Sequence, residues 1–153
     1  MLMYMSNATE VSPSMPLHSV SVAGVVVRDD GRVLVIRRAD NGAWEAPGGV
    51  LELDEEPSAG ACREVWEETG VKVEALRLTG VYKNMTRGVV ALVFCCRPIG
   101  GGERTSDEST EVRWFTRAQV RRNMSEAYAI RVLDALDAVD VPVRIHDGRR
   151  LLP

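Results

Sequence analysis

Seven carboxylates crowd the stretch from Glu52 to Glu68: Glu52, Asp54, Glu55, Glu56, Glu64, Glu67 and Glu68. Arg63 is the only base among them. Glu64, Glu67 and Glu68 stand at i, i+3 and i+4, so on a helix they share one face. Like charges at that spacing cost an isolated helix roughly 0.3 kcal/mol a pair, and a bound cation reverses the sign. Hard divalent ions take carboxylate oxygens, and Mg²⁺ binds through a few of them together with substrate phosphates while keeping some of its waters. A solvated acidic helix face is the alternative that the spacing by itself leaves open.

Local signals show which elements must hold these carboxylates. Pro57 suits a first helical turn, acidic residues surround that start and Gly70 is placed to cap the end, which predicts a helix over 57–69. On it, Ser58, Cys62, Val65, Trp66 and Thr69 gather nearly opposite the glutamates and form the packing face. Upstream, 19–27 and 32–38 flank the turn residues Asp29-Asp30-Gly31 and predict a β-hairpin with largely buried strands. The Gly and Pro cluster from Asn41 to Gly49 reads as a loop that carries function, with a short extended piece around Val50 to Leu53 after it. Strands are expected over 71–84, 89–97 and 111–115, with a Gly-rich turn at 100–102. Thr116 and Gln119 have the spacing of a capping box. Ser125 to Val139 carries Ala127, Ile130, Leu133, Ala135 and Leu136 at helical spacing. The order is mixed α and β, an α/β (α+β) class, with no internal repeat.

Composition narrows the partners. A chain of 153 residues with 45% hydrophobic content suits one domain. We expect it over 18–140, between a loose N-terminal extension at 1–17 and a C-terminal tail at 141–153. A formal net charge of -3 excludes the general basic surface that holds DNA or RNA, so no nucleic acid polymer is expected as partner. Cys62, Cys95 and Cys96 lack metal-ligand spacing, and neighbours on a strand point to opposite faces, so they read as reduced thiols of a cytoplasmic protein. The first 17 residues hold no Lys or Arg, and no stretch approaches the roughly 20 apolar residues of a membrane span. His18 and His146 read as surface residues. No Ser or Cys nucleophile motif and no dinucleotide-fold glycine fingerprint is present.

From Gly49 to Val71 the chain runs Gly49, five residues, Glu55, seven residues, Arg63-Glu64-Val65, one residue, Glu67-Glu68, one residue, Gly70-Val71. This resembles the complete Nudix box of the Nudix hydrolases, and Trp44-Glu45-Ala46-Pro47-Gly48 resembles the family's approach to it. The resemblance implies the Nudix α/β/α sandwich, a mixed sheet between helices, and hydrolysis of a diphosphate bond in a nucleotide-like small molecule. It implies Mg²⁺, with Mn²⁺ as a substitute, on Glu64, Glu67 and Glu68, and a further ligand in the backbone carbonyl of Gly48 or Gly49. Arg63, Glu55 and Gly70 take supporting roles, with Arg63 orienting a neighbouring carboxylate.

Chemistry of this kind needs in-line positioning of water and neutralisation of phosphoryl charge more than covalent help. The base that takes the water proton is Glu64 or Glu111. Glu111 is preferred to Glu108 by alignment of the Glu111-Val112-Arg113-Trp114-Phe115 end. Of the neighbours Arg37 and Arg38, only one reaches substrate phosphate, and the family match favours Arg38. Trp44 either stacks on a base or packs, and Gly49, Tyr82 and Asn84 are further candidates for the substrate pocket. The proline of many ADP-ribose hydrolases is absent from 82–88. The reading is therefore cleavage of a nucleoside triphosphate, oxidised ones included, to the monophosphate and pyrophosphate. An ADP-ribose or nucleotide-sugar pyrophosphatase and a non-catalytic nucleotide sensor are the alternatives, and a homodimer is compatible with either.

Overall fold

The computed structural model describes residues 14–153, so most of the expected N-terminal extension lies outside the described residues. The chain runs β1 (Ser19–Val26), β2 (Val33–Arg38), β3 (Trp44–Glu45), β4 (Gly48–Val50) and α1 (Pro57–Thr69). It continues through β5 (Val71–Asn84), β6 (Val89–Gly101), β7 (Ser109–Phe115), α2 (Arg117–Asn123), α3 (Glu126–Asp137) and β8 (Val143–His146). Five strands form a mixed sheet in the order β4-β1-β6-β5-β8, in which β1 and β6, and β5 and β8, run parallel. A second sheet, β3-β2-β7, is antiparallel.

The Asp29-Asp30-Gly31 turn forms, with Gly31 at φ 85° and the Arg28 N–H donating to the Arg32 carbonyl at 2.9 Å. The expected hairpin does not. Beyond a single Val27–Val33 bridge, β1 pairs with β4 and β6 while β2 pairs with β3 and β7. From Val22 to Val26 and from Val33 to Ile36 the strands are buried apart from their ends, on both faces. Unbroken apolar runs carry no alternation to name a partner, and pairing with distant strands decides.

Alternate residues of the same strands feed two cores. Val25, Val33 and Val35 join Val93, Phe115 and the α3 residues Ala129 and Val132. Val26 and Leu34 join Val65 of α1, Val71, Val73 and Cys96. Helix α1 thus covers one side of the sheets and α2 with α3 the other, which is the expected sandwich. Cys95 and Cys96 are both buried, as opposite-facing neighbours between two covered faces must be, and all three cysteines are free. Thr116 and Gln119 make both bonds of their capping box and start α2. No helix among the described residues is long and apolar enough to cross a membrane.

Two expectations about the C-terminus are corrected. Residues 143–146 are a strand of the main sheet, paired with 81–84 of β5, so the domain extends past the expected boundary at 140. His146 is fully buried, its Nδ1 accepting the Gly148 N–H at 3.0 Å, whereas His18 is exposed. The strand is tied down by Asp134 of α3, which accepts from Arg144 Nε and Nη2 at 2.8 and 2.9 Å and from the Tyr82 hydroxyl at 2.8 Å. Asp134→Ala leaves two donors unpaired around a buried site. It should lower stability by roughly 3 kcal/mol in urea denaturation, and a loss near zero would show that the network carries no weight.

Candidate active site

Helix α1 begins where its sequence signals place it. Glu56 caps it, accepting from the Ser58 and Ala59 N–H groups at 3.2 and 3.1 Å, and Pro57 follows at the first position. Gly70, at φ 75°, closes the end in a left-handed conformation that glycine adopts at little cost. The inward face of α1 differs from the expected packing face. Ala61, Val65 and Thr69 are buried, but Glu64 and Glu68 are buried beside them, and Trp66 is exposed beneath the Arg104 guanidinium.

The Gly48-Gly49 pair makes room for these two carboxylates. A side chain at Gly49 would put its Cβ 2.5–2.6 Å from the three carboxylate atoms of Glu64, so only glycine lets the group lie there. The Gly48 N–H donates to Glu68 Oε2 at 3.1 Å. Arg63 reaches back with a bidentate contact to Glu55 (2.6 and 2.8 Å) and donates to Glu64 at 2.9 Å and Glu67 at 3.2 Å. The orienting role expected of Arg63 and Glu55 thus has a geometry. Glu67 is half exposed and leans on Arg63.

The third carboxylate at this place comes from the segment before β7. One oxygen each of Glu64, Glu68 and Glu108 lie within 4.8 Å of one another, close enough for one metal ion. Ser109 Oγ donates to the Glu68 carbonyl at 2.7 Å, and the Ala39 N–H donates to the Glu108 carbonyl at 3.0 Å, so α1 and the end of β2 both pin this segment. The structure thus brings Glu108, and not the preferred Glu111, beside Glu64 and Glu68. The strand starts at Ser109 rather than at Glu111, which puts Glu111 inside the ladder opposite Arg37. There its carboxylate pairs with Arg37 at 3.2 Å and Arg113 at 2.6 Å, and both contacts hold it below its ordinary pKa.

The electrostatics of the cluster suit a cation. Burial, reinforced by the charges of Glu64, Glu108 and Glu45, pushes the Glu68 carboxyl up to about 8 against the Gly48 N–H. Burial also raises Glu64, opposed by Arg63. Three oxygen donors in one place, two of them hard to ionise unaided, fit a hard divalent cation.

Other candidate residues divide. Arg38, Gly49, Glu64, Glu68 and Glu108 line a cleft of about 650 Å³. Arg38 is held by Asp40 (2.6 and 2.8 Å) and Glu45 (3.0 Å) at its edge. Asn84 lines an adjoining recess. Trp44 packs on Phe115, ring centroids 4.8 Å apart, and lines a neighbouring pocket that shares Arg38, Glu45 and Asn84 with that recess. Tyr82 is fully buried with its hydroxyl spent on Asp134, so it is a core residue and not a pocket one. Sequence reasoning passed over Glu45 and Arg131, which also line the recess. The signal for Arg131 was present: it falls between Ala127 and Ala135 at i+4 spacing, a charge at a core position of α3.

The sequence profile of the NUDIX domain matches residues 17–136, and the chain belongs to that family. It is 67% identical over 153 residues to a "MutT-like protein" of Streptomyces ambofaciens, covering 100% of this chain and 99% of that one. It is 31% identical over 106 residues to an "ADP-ribose pyrophosphatase" of Methanocaldococcus jannaschii, covering 65% and 63%. A NUDIX hydrolase from Nitrosomonas europaea superposes with a TM-score of 0.76 over 91% of this chain and 85% of that one; at 21% identity this is a likeness of fold. The protein is thus a Nudix hydrolase, of the pyrophosphohydrolase family.

The raised Glu68 carboxyl has a consequence for the metal-free protein. The folded state holds a proton that the unfolded chain releases near pH 4.5, so stability falls as pH rises from there through about 8. Glu68→Gln cannot titrate. Its melting temperature should pass that of the wild type by several degrees between pH 5 and 8.5, and parallel pH profiles would contradict the assignment.

Proposed function

We propose that the protein hydrolyses a nucleoside triphosphate, oxidised ones included, to the monophosphate and pyrophosphate, with Mg²⁺ held by Glu64, Glu68 and Glu108. Mn²⁺ is a substitute, and Glu67 and the Gly48 carbonyl are further ligand candidates. The observation that carries this reading is the approach of those three carboxylates, from two separate segments, at the wall of a cleft edged by Arg38. When bound, the divalent cation supplies neutralisation of phosphoryl charge and acidifies water.

The chain's own groups do the rest. Arg38, fixed by Asp40 and Glu45, presents a guanidinium at the cleft to a phosphate oxygen. Arg63 holds Glu64 and Glu67 in place, with Glu55 anchoring the guanidinium. Glu108 takes the proton of the attacking water on the carboxylate oxygen it does not give to the cation: it is exposed at the cleft, and among the described residues no ion pair engages its carboxylate, whereas Arg63 engages Glu64 and two arginines engage Glu111. One anhydride P–O bond breaks, one P–O bond to the water oxygen forms, and the proton passes to the carboxylate.

A second reading, ADP-ribose cleavage, draws on the 31% identical relative of that name, against the missing proline in 82–88. Phosphate release, coupled to pyrophosphatase and phosphatase, separates the two across nucleoside triphosphates, ADP-ribose and nucleotide sugars with and without Mg²⁺. Triphosphates should turn over only with Mg²⁺, and turnover of ADP-ribose alone would overturn the triphosphate reading. Glu68→Gln and Glu108→Gln should each lower kcat roughly 100-fold or more. Glu111→Gln should cost about fivefold at most, the scale of an exposed ion pair. The reverse ranking of Glu108 and Glu111 would move the base back to β7.

A further inference from the structure

Beside the acidic cluster, across the Gly48-Gly49 strand, lies a recess of about 150 Å³ that shares Arg38, Glu45, Gly48 and Gly49 with the cleft. Arg131 of α3 enters it from the opposite wall. Its guanidinium is sandwiched between aromatic rings, 4.6 Å from the centroid of Tyr128 and 5.3 Å from that of Tyr82. Its Nε is buried and has no hydrogen-bond partner. Its Nη2 lies 3.3 Å from His146 Nε2, but a neutral imidazole has one acceptor nitrogen, and the Gly148 N–H already occupies Nδ1. The facing Nε2 then carries the proton, and His146 offers Arg131 no acceptor. No carboxylate among the described residues forms an ion pair with this cation, although burial disfavours its charge. A buried guanidinium nitrogen left without an acceptor is costly, and it leaves the remaining donors of Arg131 open to a ligand in the recess.

Glu45 stands in the same recess with the opposite need. Its carboxylate is largely buried, and Arg38 Nη1 occupies one oxygen, Oε1, leaving Oε2 with no hydrogen bond among the described residues. Asn84 adds a donor: its Oδ1 accepts the Thr86 and Arg87 N–H groups, which directs the amide NH₂ away from them. Tyr128 supplies an aromatic wall. Arginine donors and a glutamate acceptor on one recess complement a lactam edge, in which a ring carbonyl oxygen sits next to a ring N–H. An amino base reverses that edge. Adenine and cytosine would set their NH₂ group against Arg131 and a bare ring nitrogen against Glu45.

We propose that this recess is the base subsite and that Arg131 and Glu45 select nucleotides with a lactam base (guanine, hypoxanthine or uracil) over those with an amino base. The inference rests on the reading of the neighbouring cleft as a nucleotide phosphate site. Arg131 donates to the ring carbonyl, Glu45 accepts from the ring N–H, and the phosphates extend past Gly48 and Gly49 toward the acidic cluster.

Calorimetric titration of the full chain with GMP, IMP, UMP, AMP and CMP tests this without turnover. The three lactam nucleotides should bind at least about tenfold tighter than AMP and CMP, the scale of one well-placed polar contact. Arg131→Met, checked for folding by circular dichroism, should shrink that ratio to about threefold or less, and the isosteric Glu45→Gln should shrink it without emptying the core, even where Arg131→Met fails to fold. Equal binding of AMP and GMP by the wild type, or a uniform loss across all five ligands in Glu45→Gln, overturns the proposal. Mg²⁺-dependent turnover measured in parallel keeps the two readings apart: a lactam preference without turnover sinks the hydrolytic reading alone, and turnover without preference sinks this one alone.

Discussion

The burial of Glu64 and Glu68 beside a third carboxylate, Glu108, is the constraint on which the site depends. Two carboxylates are buried in a helix face and a third is brought beside them from a distant segment; burial first, and the neighbouring charges second, push the Glu68 carboxyl up to about 8. Surrounding structure holds them together against that cost. Gly49 has no Cβ to displace the Glu64 carboxylate, the Gly48 N–H meets Glu68, and Arg63 ties Glu64 to Glu55. Ser109 fastens the approach to β7 onto the end of α1. The arrangement carries an electrostatic cost that a divalent cation would relieve, which would couple metal affinity to pH and to stability.

Local chemistry was legible in the residues where a signal is confined to a few neighbours. The helix from Pro57 to Thr69, its proline start and glycine end, the Thr116 capping box and the bounds of β5 all follow from short-range preferences. Pairing between distant strands was not. The turn at Asp29-Asp30-Gly31 says that the chain reverses there, but not that β1 and β2 part into different sheets. Two buried strands look alike from either side. The same limit applies to the third carboxylate. Strand alternation places Glu111 correctly only once the strand is known to start at Ser109, and that start is set by hydrogen bonds to α1 and β2 that leave no trace in local composition.

The C-terminal segment shows a tertiary effect of the same kind. Val143 to His146 alternates apolar and polar residues over a short run that names no partner strand, yet it closes one edge of the main sheet and brings His146 against Arg131. Asp134, Tyr82 and Arg144 bind that edge to α3. That segment does not line the recess beside the acidic cluster, but its His146 backs Arg131, which does. The acidic cluster, by contrast, draws only on the Nudix box and the approach to β7.

The central claim, that Glu108 joins Glu64 and Glu68 in one metal centre, is tested most directly by anomalous diffraction from a crystal of the protein soaked in Mn²⁺. The account predicts an anomalous peak bridging the carboxylates of Glu64, Glu68 and Glu108, with Glu111 still paired to Arg37 and Arg113. A peak coordinated by Glu111, or one on Glu67 that leaves Glu68 and Glu108 free, would contradict it.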